Sequence, residues 1–258
     1  MTGTTFAVER DPERGIARIT IGSPGHLNVL THANRFELSE AIEALGAEPA
    51  MRVVVIASAS ERAFSAGVDI AEFAELTPLQ MSRLHESMSV PARIPQPVVA
   101  AIDGHCYGGP FELCLACDFR IVTETCRLGL PEVGLGQMPG SGGGQRLLRL
   151  VGPTRAKMMC MTGLKIDGPT AESWGIASRC VPAGELASAV DELATSLADL
   201  SPAAVQMMKL SLNTGADAPL STALELEGKM YATLRTTEDY AEGLASWREK
   251  RPPNFRGR

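Results

Sequence analysis

Four short apolar runs punctuate the chain, at residues 16–21, 53–57, 98–102 and 119–122, and each is rich in β-branched side chains. Gly, Pro or polar residues bound every one of them, so the pattern predicts short buried strands. Helix-length segments lie between them. Across residues 31–45, Phe36, Leu38, Ile42 and Leu45 recur close to the helical period and predict one face turned to a core. Strands that alternate with helices point to an α/β fold. The strand signal ends near Ser201, where Ser201-Pro202 reads as an N-cap followed by proline in the first helical position. Helical pattern then continues to Trp247. The chain therefore divides into residues 1–200, an α/β core, and residues 201–258, a helical C-terminal segment. No internal repeat and no low-complexity tract interrupts it.

Composition narrows the class. Of 258 residues, 45% are hydrophobic and 21% charged, which excludes a disordered chain and a collagen-like repeat. The net charge of −6 argues against general nucleic-acid binding, which calls for an excess of Lys and Arg. No apolar run is long enough for a membrane span, and the first residues lack the basic start and apolar stretch of a secretory signal. The cysteines at 106, 114, 117, 126, 160 and 180 are accordingly expected as reduced thiols in a cytoplasmic protein. Cys114 and Cys117 form a C-x-x-C on a predicted helix with no second ligand pair beside them, so they read as buried thiols. The four histidines are scattered without metal or nucleophile spacing; His105 reads as a turn residue or a wall of a pocket.

Candidate chemistry gathers where small residues follow an apolar strand. Three segments do this: AFSAGVDI (63–70), DGHCYGGPFEL (103–113) and LPEVGLGQMPGSGG (130–143). Glycines there allow positive φ and close approach of a ligand to the backbone, or simply tight turns. Neither a Walker pattern, a dinucleotide fingerprint nor a serine-hydrolase elbow is present. In the second segment Gly109 reads as an N-cap and Pro110 as the first residue of a helix running to Asp118. That puts Glu112 at the third helical position, where the helix dipole favours its charged form. It fits either a capping residue or a general base beside free amides. Glu132, in a Gly-rich loop, is as ambiguous alone.

Together these segments resemble the crotonase, or enoyl-CoA hydratase/isomerase, superfamily. The resemblance spans nearly the whole chain, from PGHLNVL (24–30) through CDFRI (117–121) to SWREKRPPNF (246–255), with the motifs in the family's order and spacing. It implies a spiral of β-β-α repeats with C-terminal helices that build a homo-oligomer, a trimer or a dimer of trimers. It also implies an acyl-CoA substrate, with coenzyme A belonging to the substrate and no separate cofactor or metal. The resemblance assigns Ala66 and Gly109 as the backbone donors of an oxyanion hole. Glu112 and Glu132 match the family's glutamate pair, with Glu112 as the base that activates water and Glu132 as the acid toward the α carbon. Gly140 matches a residue that helps hold the water.

The stretch Ala66, Gly67, Val68 and Asp69 corresponds to contacts with the coenzyme and thioester. Trp247 and Lys250 correspond to groups that reach the coenzyme of a neighbouring subunit, within a tail (248–258) of five basic side chains against one acidic. Gly25 and His26 stand where many relatives carry Lys or Arg. Retention of both glutamates points to hydration of a trans-2-enoyl-CoA. A double-bond isomerase or specialised dehydratase of the same fold is the alternative, and a silent, RNA-associated relative is a third reading that the acidic charge opposes.

Overall fold

The computed structural model describes residues 5–258. The larger of two sheets contains, in spatial order, β1 (Phe6–Asp11), β2 (Ile16–Ile21), β3 (Val53–Ser58), β5 (Val98–Ile102), β7 (Phe119–Thr123) and β10 (Arg179–Val181). Only β1 runs antiparallel to its neighbour; the others pair in parallel. The smaller sheet orders β4 (Ala63–Ser65), β6 (His105–Tyr107), β8 (Arg127–Gly129) and β9 (Lys165–Ile166). Successive strand pairs β3/β4, β5/β6 and β7/β8 deal one strand to each sheet and are followed by helix. This is the β-β-α spiral that the sequence motifs imply.

The helices after β4 are α2 (Ile70–Phe73), α3 (Pro78–Ser82), α4 (Leu84–Met88) and α5 (Val90–Arg93); α6 (Gly109–Ala116) follows β6. A 3-10 turn at Glu132–Leu135 and α7 (Gly143–Thr162) follow β8, then α8 (Gly168–Ser173) and α9 (Leu186–Ala198). The runs 53–57 and 98–102 of the central strands β3 and β5 are apolar at every position because both faces of the large sheet are covered there. Val54, Ile56, Val98, Ala100 and Ile102 face the interior with Phe64 and Phe111. Val53, Val55, Val99 and Ala101 face Ala189, Val190, Ala194 and Ala198 of α9.

Helix α1 (His32–Gly46) is set by a capping box: the Thr31 side chain accepts from the Asn34 amide, and the Asn34 side chain accepts from the Thr31 amide. Leu38, Ile42 and Leu45 are buried as expected. Phe36 is not; it is 45% exposed, and the buried face starts instead with Asn34 and Arg35. The 35, 38, 42, 45 spacing follows one helical stripe, and Phe36 lies a residue's rotation away from it.

Ser201 caps α10 (Pro202–Gly215) by accepting from the Ala204 amide, and α11 (Leu220–Leu234) and α12 (Glu238–Glu249) complete the chain. Lys209 docks α10 on the core. Its ammonium is 2.7 Å from Asp118 Oδ2 and donates to the Pro91 and Gln96 carbonyls at 2.6 and 2.8 Å. By contrast Leu212, Leu220, Leu224, Tyr231 and Trp247 are exposed along these helices. Among the described residues no helix is long and apolar enough to cross a membrane. All six cysteines are free thiols.

Candidate active site

Helix α6 begins one residue earlier than the sequence suggests. Gly108, not Gly109, is its N-cap, with φ 60° and ψ −137°, a conformation open essentially to glycine alone. Its amide donates to the Gly129 carbonyl across the small sheet and its carbonyl accepts from the Glu112 amide, so the chain turns sharply from β6 into the helix. The helix stops at Ala116, short of the expected Asp118, because Cys117 is extended. The Asp118 side chain instead accepts from the Val98 amide.

Glu112 therefore lies at the fourth helical position. It is 2% exposed, and its Oε1 accepts from the amides of Ser141 and Gly143, each at 2.8 Å. These amides belong to the loop and first turn that open α7, where backbone donors have no helical acceptor. Close approach is the reason for glycine here: a Cβ on Gly143 would stand 2.7 Å from Glu112 Cγ. Burial raises the Glu112 pKa above the ordinary carboxylate range, while the two amides and the Arg35 guanidinium pull it back.

Glu132 opens the 3-10 turn. Its Oε2 is buried without a hydrogen-bond partner among the described residues. Burial pushes its pKa up to about 7, and the nearby Glu112 charge adds to the shift. Both carboxyl groups line one cleft of about 790 Å³, together with Val68, Gly109, Gly140 and Ser141. The rest of the wall is mostly apolar, from Ile70, Phe73, Leu76, Met81, Leu84, Leu135 and Met138. A recess of about 870 Å³ elsewhere, walled by Arg14, Arg52, Gln96 and the 253–257 tail, contains none of the candidate residues.

One expectation requires correction. The Ala66 amide is not available to a ligand, since it donates to the Leu27 carbonyl at 2.8 Å. Three residues on, the Asp69 amide donates to the Leu30 carbonyl, and the Leu30 amide donates to Gly67 O. This parallel bridge between Leu30 and Val68 leaves the Val68 N–H without a partner among the described residues. The Gly109 N–H is likewise uncommitted, as the first residue of α6. Val68 and Gly109 are adjacent: the Val68 Cγ1 lies 3.2 Å from where a Gly109 Cβ would be. The donor pair on the cleft is thus Val68 and Gly109, not Ala66 and Gly109.

A family model described as enoyl-CoA hydratase/isomerase matches residues 11–258. The chain belongs to the enoyl-CoA hydratase/isomerase family. A "Probable enoyl-CoA hydratase" of Mycobacterium tuberculosis is 36% identical over 257 residues, covering 99% of each chain. The crotonyl-CoA hydratase of Syntrophomonas wolfei is 32% identical over 255 residues, covering 95% of this chain and 96% of its own. The crystal structure of an enoyl-CoA hydratase from Bacillus anthracis superposes with a TM-score of 0.92 at 36% identity, covering 98% of this chain and 99% of that one.

Within this family member the remaining candidates fall outside the cleft wall. Ala66 and Gly67 do not line it, and Asp69 caps α2 by accepting from the Ala71 amide. Trp247, 78% exposed, and Lys250, which ends α12 with φ 54°, are on the surface. The Gly25 carbonyl accepts from the Arg62 guanidinium, so a basic group does stand beside the Gly25-His26 stretch. His105 lies in β6 rather than a turn, exposed and paired with the Tyr107 hydroxyl. Among the described residues no group of three or more His, Cys, Asp or Glu is placed to hold a metal ion. Two functional neighbours escaped the sequence reading. Ser141 supplies an amide to Glu112, and Arg35, 1% exposed, donates to Ser141 Oγ at 3.0 Å.

Proposed function

We propose that this family member is an enoyl-CoA hydratase, adding water reversibly to a trans-2-enoyl-CoA to give a 3-hydroxyacyl-CoA. One observation carries the reading: two carboxyl groups with different environments share a cleft with two uncommitted backbone amides. The thioester oxygen accepts hydrogen bonds from the Val68 and Gly109 amides, which stabilise the enolate-like charge that develops there. The Glu112 carboxylate takes a proton from water as the water oxygen bonds to the β carbon. Glu132, protonated, gives its proton to the α carbon. Each turnover moves the charge from one glutamate to the other, and redistribution of their single proton resets the pair. A double-bond isomerase needs only one such group, so the second carboxyl on the cleft supports hydration.

Coenzyme A arrives as part of the substrate, and no further cofactor takes part. The mostly apolar wall suits a hydrocarbon acyl chain. The exposed apolar side chains of α10–α12 support a homo-oligomer, a trimer or a dimer of trimers, with Trp247 and Lys250 directed to a neighbouring subunit's coenzyme. A cytoplasmic location accords with six free thiols.

Incubation with crotonyl-CoA tests the reading. Loss of the enoyl thioester absorbance with formation of 3-hydroxybutyryl-CoA is expected. Glu112→Gln and Glu132→Gln should each lower kcat by about 10²–10⁴-fold. A near wild-type rate in either variant, or isomerised rather than hydrated product, would overturn it.

A further inference from the structure

Arg35 is a charge that the fold has taken out of water without giving it a carboxylate in contact. It lies on the buried stripe of α1, and no ion pair within 4 Å involves it among the described residues. Nη2 donates to the Leu84 carbonyl at 3.2 Å and to Ser141 Oγ at 3.0 Å; Nε is buried and has no hydrogen-bond partner among the described residues. A guanidinium so placed is costly unless an anion answers it. The anion lies one residue beyond. Ser141 accepts from Arg35 through its hydroxyl and from Arg146 Nη1 through its carbonyl at 3.2 Å, and donates its amide to Glu112 Oε1.

We propose that Arg35 is a positioning residue that, through Ser141, holds Glu112 as the carboxylate and leaves the shared proton of the pair on Glu132. The inference rests on the hydratase reading, whose two glutamates must enter the reaction in opposite states. The charged and titratable groups around Glu112 are Arg35 from α1, Arg146 and Cys160 from α7, and Glu132 from the 3-10 turn. Arg146 is itself spread between Ser141 O and Ser89 Oγ. Cys160 is a neutral thiol at neutral pH, its pKa raised by burial, and Glu132 opposes a second negative charge. Arg35 is thus the cation joined to Glu112 through the Ser141 hydroxyl and amide. Burial lowers the pKa of Arg35 only to about 10, against the raising effect of Glu112, so it remains charged at neutral pH.

The test compares Arg35→Met, Arg35→Lys and Ser141→Ala with the wild type by two readouts. In kcat/KM against pH with crotonyl-CoA, Arg35→Met should move the acid limb upward by about one pH unit or more. Below both midpoints this lowers kcat/KM about tenfold, mainly through kcat. Arg35→Lys should restore most of the limb. Ser141→Ala keeps the amide to Glu112 but removes the hydroxyl, and should shift the limb the same way by less. Independently of turnover, ¹³C NMR of labelled glutamate carboxyls, with Glu112 assigned by its loss in Glu112→Gln, reads the same midpoint directly. An upward shift in Arg35→Met supports the proposal. An unmoved midpoint in a folded Arg35→Met, or a change confined to KM, overturns it. If that variant does not fold, Ser141→Ala decides, its midpoint rising or staying. Should the wild type fail to hydrate enoyl-CoAs, the functional reading falls, while the titration still decides whether Arg35 governs Glu112.

Discussion

Glu132 has its proton in the range where an acid can give it up at neutral pH. With a pKa near 7 set chiefly by burial, it is the acid that limits the free enzyme, and kcat/KM for hydration should fall as pH rises through about 7. A rate profile flat from pH 6 to 9 would contradict that role. The same shift has a thermodynamic consequence. Between the unfolded value of 4.5 and about 7 the native state binds more protons than the unfolded one, so stability declines as pH rises through that window. Glu132→Gln removes the charge and should raise Tm relative to wild type at pH 8, by about 2–4 °C. The gap should close at pH 4, and thermal scans at the two pH values check it. At this scale the glutamates were legible because their spacing belongs to a family pattern. Arg35 was not, because an arginine between Asn34 and Phe36 reads as a solvated face until the stripe is known. Nor could the sequence distinguish the Ala66 amide from that of Val68, since strand register against Leu27 and Leu30 decides which is consumed.

At the level of elements, the site depends on two helix starts pressed together. Gly108 opens α6 and Gly143 opens α7, and each leaves room for a glutamate: Glu132 Oε1 lies 3.3 Å from a Cβ built on Gly108, and Glu112 Cγ lies 2.7 Å from one built on Gly143. Gly143→Ala should therefore push Glu112 off its two amides and lower kcat about 10²-fold or more, with far-ultraviolet circular dichroism unchanged. Gly108→Ala adds backbone strain of about 1–3 kcal/mol at a positive φ, so it should lower Tm as well as activity. Of the five longer strands, β2, β3, β5 and β7, with α1, were readable because they are largely apolar or amphipathic; β1 was not, since FAVERD is mostly polar and exposed. The three-residue strands β4, β6, β8 and β10 were not, being too short to show a period; of these only β4 and β6 fell within Gly-containing motifs.

Across the whole molecule, the Lys209 ammonium joins the C-terminal helices to the core, beside hydrogen bonds from Arg52 to the Phe255 carbonyl and from Asn213 to the Ala92 carbonyl. Lys209→Met strands the half-buried Asp118 carboxylate, whose pKa burial already raises and Lys209 holds down, and leaves the Pro91 and Gln96 carbonyls without that donor. The expected cost is about 3–5 kcal/mol, measured as a lowered denaturation midpoint. Pairing it with Asp118→Asn should recover part of that loss. Light scattering tests the oligomer: a monomer at micromolar concentration would contradict the homo-oligomer.

The Lys209 contact also imposes a timetable on the nascent polypeptide. Asp118 leaves the ribosome about 90 residues before its counter-charge exists. At about 5–20 residues per second the wait is roughly 5–18 s. Throughout that interval the central parallel strands can pair, but the acid beside them lacks its ammonium partner and has only the more distant Arg120 guanidinium to offset its charge. The final helices are thus the latch of the molecule as well as its outer surface, and this bond can close only after residue 209 has been made.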